Sequence, residues 1–574
     1  MFQDFRRRTT PETGPARLAA LREAMAAAGV DAFLVPRADA HQGENVAPRD
    51  ERLAWLTGFT GSAGFAAVTG DRAVVFVDGR YRLQVEAEVE GTAFEIGRHP
   101  EEKLADWLRA ALPEGGRVAF DPWLHTHGQI AALEADLEGS GLTLVPSGNL
   151  VDGIWTDQPP PPAAPVMVHP DSLAGRSSAE KRAAIAGELR GQGIAACILT
   201  LPDSIAWLLN IRGSDIPRTP VALAFAILHA DASVDLFIDP ARVDDAVQAH
   251  LGPDIRLRPP PAFGPSLARL DGKVGVDRDT APVQISSELA NGGAERVWMR
   301  DPCILPKATK TEAELAGTRA AHLRDGAAMA EFLAWLDRAG PGGELTEIDV
   351  VRRLEQFRRD TGRLHDISFD TICGAGPHGA IVHYRVSEAT NRQVKPGELL
   401  LIDSGGQYPD GTTDITRTVA IGSPDHSAIG PFTRVLKGMI ALSTLRWPEG
   451  LAGRDIDAIA RAALWQAGLD FDHGTGHGVG AFLGVHEGPQ AISRRSVEPL
   501  RPGMIVSNEP GYYRAGAFGI RIENLLAVRT PLLPEGGDRA MLSFETLTLA
   551  PVDTSLVDVT LLTGPERDWL NAYH

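Results

Sequence analysis

The segment Leu399-Leu400-Leu401-Ile402-Asp403-Ser404-Gly405-Gly406-Gln407-Tyr408-Pro409-Asp410-Gly411-Thr412-Thr413-Asp414 joins a short apolar run to two turn signals and a second carboxylate. Its first five residues read as a buried strand that ends in an acid. Gly405-Gly406 and Pro409-Asp410-Gly411 are turn residues, and the β-branched run from Thr413 to Val419 reads as the returning strand. Folded symmetrically about Tyr408-Pro409, the hairpin sets Asp403 directly opposite Asp414, with Cβ atoms about 4.5–5.5 Å apart. Two carboxylates that close, on strands otherwise suited to a core, repel unless one is protonated or a cation lies between them. A divalent metal resolves the conflict.

The same logic returns further along. Met504-Ile505-Val506-Ser507-Asn508-Glu509 reads as a strand ending at Pro510-Gly511. After a loop from Tyr512 to Gly519 comes Ile520-Arg521-Ile522-Glu523-Asn524. Period two places Arg521 and Glu523 on one face and the two isoleucines on the other. Between the hairpins, His473-Gly474-Thr475-Gly476-His477-Gly478 is too Gly-rich for a helix and is expected as a loop displaying its imidazoles. His486, before Glu487, and His383, before Tyr384, add two more. Singly, each has a bland alternative, since an Asp at a strand end commonly caps a turn and a lone His commonly packs. Four carboxylates and one imidazole, gathered from two hairpins and a Gly-rich loop in one domain, change those odds.

Upstream, Pro306-Lys307-Ala308-Thr309-Lys310 marks a boundary, and from Thr311 a long helix is expected, with Leu315, Ala320 and Leu323 near a 3.6-residue period. The run Gln158 to Pro162 forbids helix or sheet and marks another boundary, whereas Arg258 to Pro261 is expected as a loop. Domains are therefore expected at 1–157, 158–305 and 306–574. The first two read as copies of each other. Gly29 to Val35 parallels Gly193 to Leu199, Leu53-Ala54-Trp55-Leu56 parallels Ile205-Ala206-Trp207-Leu208, and Gly61-Ser62 parallels Gly213-Ser214. Val74 to Asp78 likewise parallels Val234 to Asp239. Four pairs in one order point to a duplicated α/β layer, which carries no catalytic constellation and reads as scaffold.

The whole chain fits that picture. Its 574 residues exceed what one core supports. A net charge of −19 without a Lys/Arg run argues against nucleic acid or an anionic membrane. No apolar stretch of membrane-spanning length occurs, and none follows Arg6-Arg7-Arg8 to make a signal peptide, so a cytoplasmic location is expected. Three scattered cysteines, Cys197, Cys303 and Cys373, do not suggest a disulfide framework.

The ordered set Asp403, Asp414, His477, Glu509 and Glu523 resembles the five-ligand signature of the metallopeptidases with the pita-bread fold. The flanking stretches, Asp403 to Asp414, His473 to Gly480, Glu509-Pro510-Gly511-Tyr512-Tyr513 and Gly519 to Asn524, look most like the aminopeptidase P family in its three-domain cytosolic form. The likeness runs from about Leu18 to the C-terminus. It implies an α/β (α+β) chain in which two duplicated creatinase-like domains precede a pita-bread catalytic domain. It further implies hydrolysis of the N-terminal Xaa-Pro bond by a hydroxide bridging two divalent metal ions. The oxygen-rich donor set suits Mn²⁺, with Zn²⁺, Co²⁺ or Fe²⁺ as alternatives. By resemblance, Asp414 and Glu523 bridge the metals, Asp403 holds one, and His477 with Glu509 holds the other. Glu509 also shuttles a proton, and His383, His473 and His486 face the substrate. Arg521 orients the carboxylates, Tyr512 is a further candidate, and a homodimer is the implied assembly.

Peptides with proline in second position are the implied substrates. Prolidase shares the five ligands but favours dipeptides. Creatinase-type hydrolysis without metal, or a non-catalytic binding module on the same fold, would each be expected to lack part of the ligand set, which is intact here.

Overall fold

Gly29, with φ of 65°, ends the helix Gly14–Ala28 and turns the chain into the strand Ala32–Pro36. Gly193, with φ of 69°, does the same between the helix Ser178–Gly191 and the strand Ala196–Leu199. Only a residue without Cβ takes that left-handed turn freely. Both strands then start a sheet of the same design. The first sheet uses, in chain order, Ala32–Pro36, Phe65–Thr69, Ala73–Val77, Glu95–Arg98, Gly116–Phe120 and Leu142–Pro146. The second uses Ala196–Leu199, Phe225–His229, Val234–Phe237, Ile255–Arg258, Lys273–Val276 and Glu295–Trp298. In each the spatial order is fourth, third, second, first, fifth, sixth, with identical parallel and antiparallel pairings. Phe33 and Val35 pack into one core and Ala32 and Leu34 into another, so the first sheet is covered on both faces.

The computed structural model describes every residue except Arg8 and Asp425, so the last arginine of Arg6-Arg7-Arg8 lies outside the described residues. The chain divides into two units: Arg8–Asp171 with Arg176–Ile304, which holds both sheets, and Met1–Arg7 with Ser172–Gly175 and Leu305–His574. Cys197, Cys303 and Cys373 are free and buried. Among the described residues no helix is long and apolar enough to cross a membrane. Pro260–Ala262 forms a short 3₁₀ turn where a loop was expected.

In the second unit, Thr311 caps the helix Glu312–Ala339 through a capping box with Glu314. Leu315 is buried, but Ala320 is exposed and Leu323 is 66% exposed. The inner face instead runs through Thr318, Ala321, His322 and Asp325. Reading apolar residues alone missed it because part of the stripe is polar. Asp325 accepts Arg358 Nε at 2.8 Å, Tyr408 Oη at 2.7 Å and Thr413 Oγ1 at 2.9 Å, all fully buried. A buried ion pair is strongly unfavourable once either partner is lost, so this helix holds the Gly406–Thr413 hairpin firmly.

Four sheets carry the rest among the described residues, one of them Asp366–Ile367 with Gly406–Tyr408 and Gly411–Thr412. Leu399–Ser404 lies between Ile372–Ala375 and Ile415–Ala420. A six-stranded sheet orders Arg446–Trp447, Leu542–Thr546, Asn524–Val528, Ile505–Asn508, Gly476–Gly478 and Glu487–Ile492. Gly511–Arg514 pairs with Phe518–Arg521. Three local expectations change accordingly. Asp403 pairs with Thr416 and Asp414 precedes the returning strand, because the turn centres on Pro409-Asp410 (Tyr408 faces Gly411) and the register slides by two. Tyr512 to Gly519 is largely a hairpin, and Gly476–Gly478 is a strand, its glycines admitting close sheet neighbours.

Candidate metal centre

A two-residue slide keeps side-chain parity, so Asp414, Thr416 and Thr418 still share the face of Asp403. On the returning strand, Asp414, Thr416 and Thr418 make that face polar. Thr416 Oγ1 donates to Glu523 Oε2 at 2.7 Å, and Thr418 exchanges hydrogen bonds of 3.0 Å with the Arg521 backbone. The opposing sheet supplies the rest. His477 Nε2 lies 3.4 Å from both Asp414 Oδ2 and Glu509 Oε1, and its Nδ1 meets the Gly478 carbonyl at 2.9 Å. That carbonyl can only accept, so Nδ1 carries the proton and Nε2 is left to bind a metal. Ser507 Oγ donates to Glu509 Oε1 at 3.1 Å. Asp414, His477 and Glu523 each offer a donor atom within 4.8 Å of the others.

Arg521 reaches the same cluster. Its Nη2 donates to Asp403 Oδ2 at 2.7 Å and to the Val382 carbonyl at 3.3 Å, which brings the segment of His383 to the centre. Its Nη1 donates to Tyr513 Oη at 2.6 Å, and His473 Nε2 lies 2.8 Å from the same oxygen. Tyr513, not Tyr512, is therefore the tyrosine of the site; Tyr512 packs against the core on the helix His426–Ser443. The His486 ring stands edge-on to that of His477, with centroids 4.2 Å apart. Every expected site residue except Tyr512 thus falls in or beside one cluster.

Thr416, Ser507 and Tyr513 were missed. The alternation of polar residues from Asp414 to Thr418 in a buried strand was the available signal for Thr416. Tyr384 Oη donates to the buried Glu347 at 3.0 Å, fixing the residue after His383; nothing local in the sequence pointed to Glu347.

The electrostatics show what the donors need. Burial, then the charges of Asp414 and Glu509, raise Asp403 to about 7 despite Arg521. Burial also raises Glu509 and, with three neighbouring carboxylates, Glu523 well above its ordinary value. Burial disfavours the His477 cation, but Asp414 and Glu509 outweigh it and raise the ring to about 9. Asp403 Oδ1, Asp414 Oδ1 and Glu523 Oε1 are buried with no hydrogen-bond partner among the described residues. Buried carboxylate oxygens normally have partners. Divalent cations would satisfy all three and let the acids ionise, so the donors fit a metal centre.

A pH dependence follows. Groups whose pKa rises on folding bind extra protons in the folded state. The stability they lend is present at low pH, falls as pH passes the raised value of about 7 for Asp403, and falls further through about 9 for His477. Stripped of metal, the protein should lose stability between about pH 4 and about pH 9, and stabilisation by added divalent metal should grow over that range. Thermal unfolding with and without chelator measures it. Metal stabilisation that is flat or declining with pH would contradict this assignment of the charges.

Three glycines seat the ligand-bearing segments. A Cβ at Gly405 would overlap the Thr413 carbonyl, one at Gly476 the Ser507 carbonyl, and one at Gly519 the Gly379 carbonyl.

Residues 316–530 match metallopeptidase family M24, and 540–574 match the C-terminal region of peptidase M24. Residues 17–154 and 157–314 each match a creatinase/prolidase N-terminal domain. Aminopeptidase P2 of Arabidopsis thaliana is 42% identical over 95% of this chain and 82% of its own length. A probable Xaa-Pro aminopeptidase P of Neosartorya fischeri is 41% identical over 97% of this chain and 88% of its own. Among solved structures, the X-prolyl aminopeptidase of Caenorhabditis elegans, described as a cytosolic enzyme with a di-nuclear active site, superposes with a TM-score of 0.93. It is 34% identical and covers 98% of this chain and 95% of its own. The prolidase of Pyrococcus horikoshii, 22% identical with a TM-score of 0.52 over 65% of this chain and 99% of its own, shares the fold.

Proposed function

Because the chain belongs to metallopeptidase family M24, with near-full-length relatives in the aminopeptidase P group, we propose that it is a metalloaminopeptidase that cuts the N-terminal Xaa-Pro bond of peptides. The observation that carries the reading is the convergence of Asp403, Asp414, His477, Glu509 and Glu523, with three buried carboxylate oxygens unpartnered among the described residues. Two metal ions would be held there, with Asp414 and Glu523 between them, Asp403 on one, and His477 with Glu509 on the other. When bound, such ions polarise a carbonyl and acidify water.

The chain's own residues do the remainder. Glu509, braced by Ser507, accepts a proton from the attacking water and passes it to the leaving amine. His383 and His486 orient the peptide and stabilise the developing oxyanion. Arg521 keeps Asp403 in place, and Tyr513 links Arg521 to His473. His473 stands beside the substrate path through this tyrosine. Proline in second position has no N–H to offer, so apolar packing on its ring is the natural source of selectivity. Mn²⁺ is the proposed metal, from the hardness of the donors. A homodimer, a cytoplasmic location and domains at 1–157, 158–305 and 306–574 complete the proposal; the family matches over 17–154, 157–314 and 316–530 support that division.

Prolidase is the alternative for the same metal chemistry. A dipeptidase closes the site beyond proline, whereas an aminopeptidase leaves it open. Xaa-Pro-Yaa peptides should therefore be cut between their first two residues at a kcat/KM well above that for Xaa-Pro. Acetylating the N-terminus should abolish cleavage, and alanine in place of proline should lower kcat/KM by about 10–200-fold for each ring methylene lost from an apolar pocket. Matched assays on Xaa-Pro and Xaa-Pro-Pro decide the matter. A clear preference for the dipeptide would make the protein a prolidase and leave the metal chemistry standing.

A further inference from the structure

We propose that Lys307, Lys310 and Glu487 form a positioning cluster that fixes His486 for its work on the substrate, an inference that rests on the assignment of His486 to the substrate. Glu487 follows His486 directly and opens the strand Glu487–Ile492. Lys307 Nζ lies 3.0 Å from Glu487 Oε2, and Lys310 Nζ pairs with Oε1; all three side chains are at most 2% exposed. Lys310 Nζ also donates to the Lys307 carbonyl at 2.9 Å. Burying three charges is expensive, and apolar residues of similar volume commonly serve stability as well or better. The arrangement calls for a role besides stability.

Its location supplies one. Glu487 faces Gly478 in the sheet, at a register shift between His477 and Gly478. A Cβ on Gly478 would overlap the Glu487 carbonyl, and one on Gly480 would stand 3.1 Å from Glu487 Oε2. The carboxylate thus lies against the backbone leaving His477 while belonging to the residue after His486, and those two rings are 4.2 Å apart. The lysines are tied to the other side of the centre. Lys310 N donates to the Gly503 carbonyl at 3.1 Å, and Thr309 bridges Met504, just before the strand Ile505–Asn508 that leads to Glu509. One buried carboxylate therefore references His486 to the strand that presents Glu509. Supporting groups of this kind typically govern about 10–100-fold in activity.

The test is Lys310→Met, made in the wild-type chain and in His486→Ala, with metal content, kcat and KM on an Xaa-Pro-Pro peptide. Expected are unchanged metal content, nearly unchanged KM and a kcat lower by about 10–100-fold in the wild-type background. In His486→Ala the same substitution should cost nothing further, because groups that act through one another are not additive. If Lys310→Met does not fold, Lys307→Met, or the uncharged set Lys307→Met, Lys310→Met and Glu487→Gln, carries the same comparison. Equal losses in both backgrounds, or wild-type kcat in a folded and metallated variant, overturn the proposal alone. A His486→Ala enzyme with wild-type kcat overturns the assignment of His486 and the proposal with it.

Discussion

Asp414→Asn should lower metal content and turnover together. Asp414 stands within donor range of His477 and Glu523, and one of its oxygens is unpartnered and buried, so the substitution removes a charge and a donor where both are needed. Transition-state charge stabilisation by a metal is worth several kcal/mol, and about 4 kcal/mol corresponds to a loss on the order of 10³-fold in rate. The metal-free protein should respond in the opposite sense. Asp414 is among the charges that raise Asp403 and Glu523, so removing it relieves repulsion and stabilises the stripped fold above about pH 9, where the His477 cation that it also pairs with has lost its proton. Elemental analysis, turnover and thermal unfolding with chelator give the three readouts. Full metal occupancy with normal turnover would eliminate Asp414 as a ligand.

His383→Ala and His486→Ala should behave differently, keeping the metals while losing kcat on the order of 10²–10³-fold, the usual cost of one transition-state donor. Neither ring is among the three residues whose donors converge, although His486 packs against His477 and the Val382 carbonyl ties the His383 segment to Arg521. The Gly-rich segment His473 to Gly478 supplies an internal control. His477→Ala should lose metal, because its Nε2 faces two carboxylates, whereas His473→Ala should keep it, because its Nε2 meets Tyr513. Loss of a metal equivalent from His383→Ala or His486→Ala would move that histidine into the ligand set.

Much of this was legible in the sequence, for physical reasons that differ by residue. Acids at the ends of apolar runs, such as Asp403 and Glu509, are conspicuous because burial penalises them. The duplicated sheets announced themselves through paired glycine turns and Trp helices, since both copies solve the same packing problem. Register was not legible to that precision. Tyr408-Pro409-Asp410-Gly411 offers several turn centres, and the choice depends on Tyr408 reaching Asp325 from a distant helix. Tyr513 and Glu347 were hidden for the same reason, because their partners come from elsewhere in the chain. The helix face at His322 and Asp325 was misread because its burial depends on polar partners, which hydropathy does not register.

The glycines at 405, 476 and 519 have a consequence for how the centre is tuned. Each lets one ligand-bearing segment rest directly on a facing carbonyl, so the placement of these segments is set by main chain against main chain. Metal–ligand distances tolerate deviations of only about ±0.2 Å. A methyl group wedged at any of the three would part the strands by several times that. The centre is in this respect a clearance fit, machined by the backbone, with no slack for a side chain to take up.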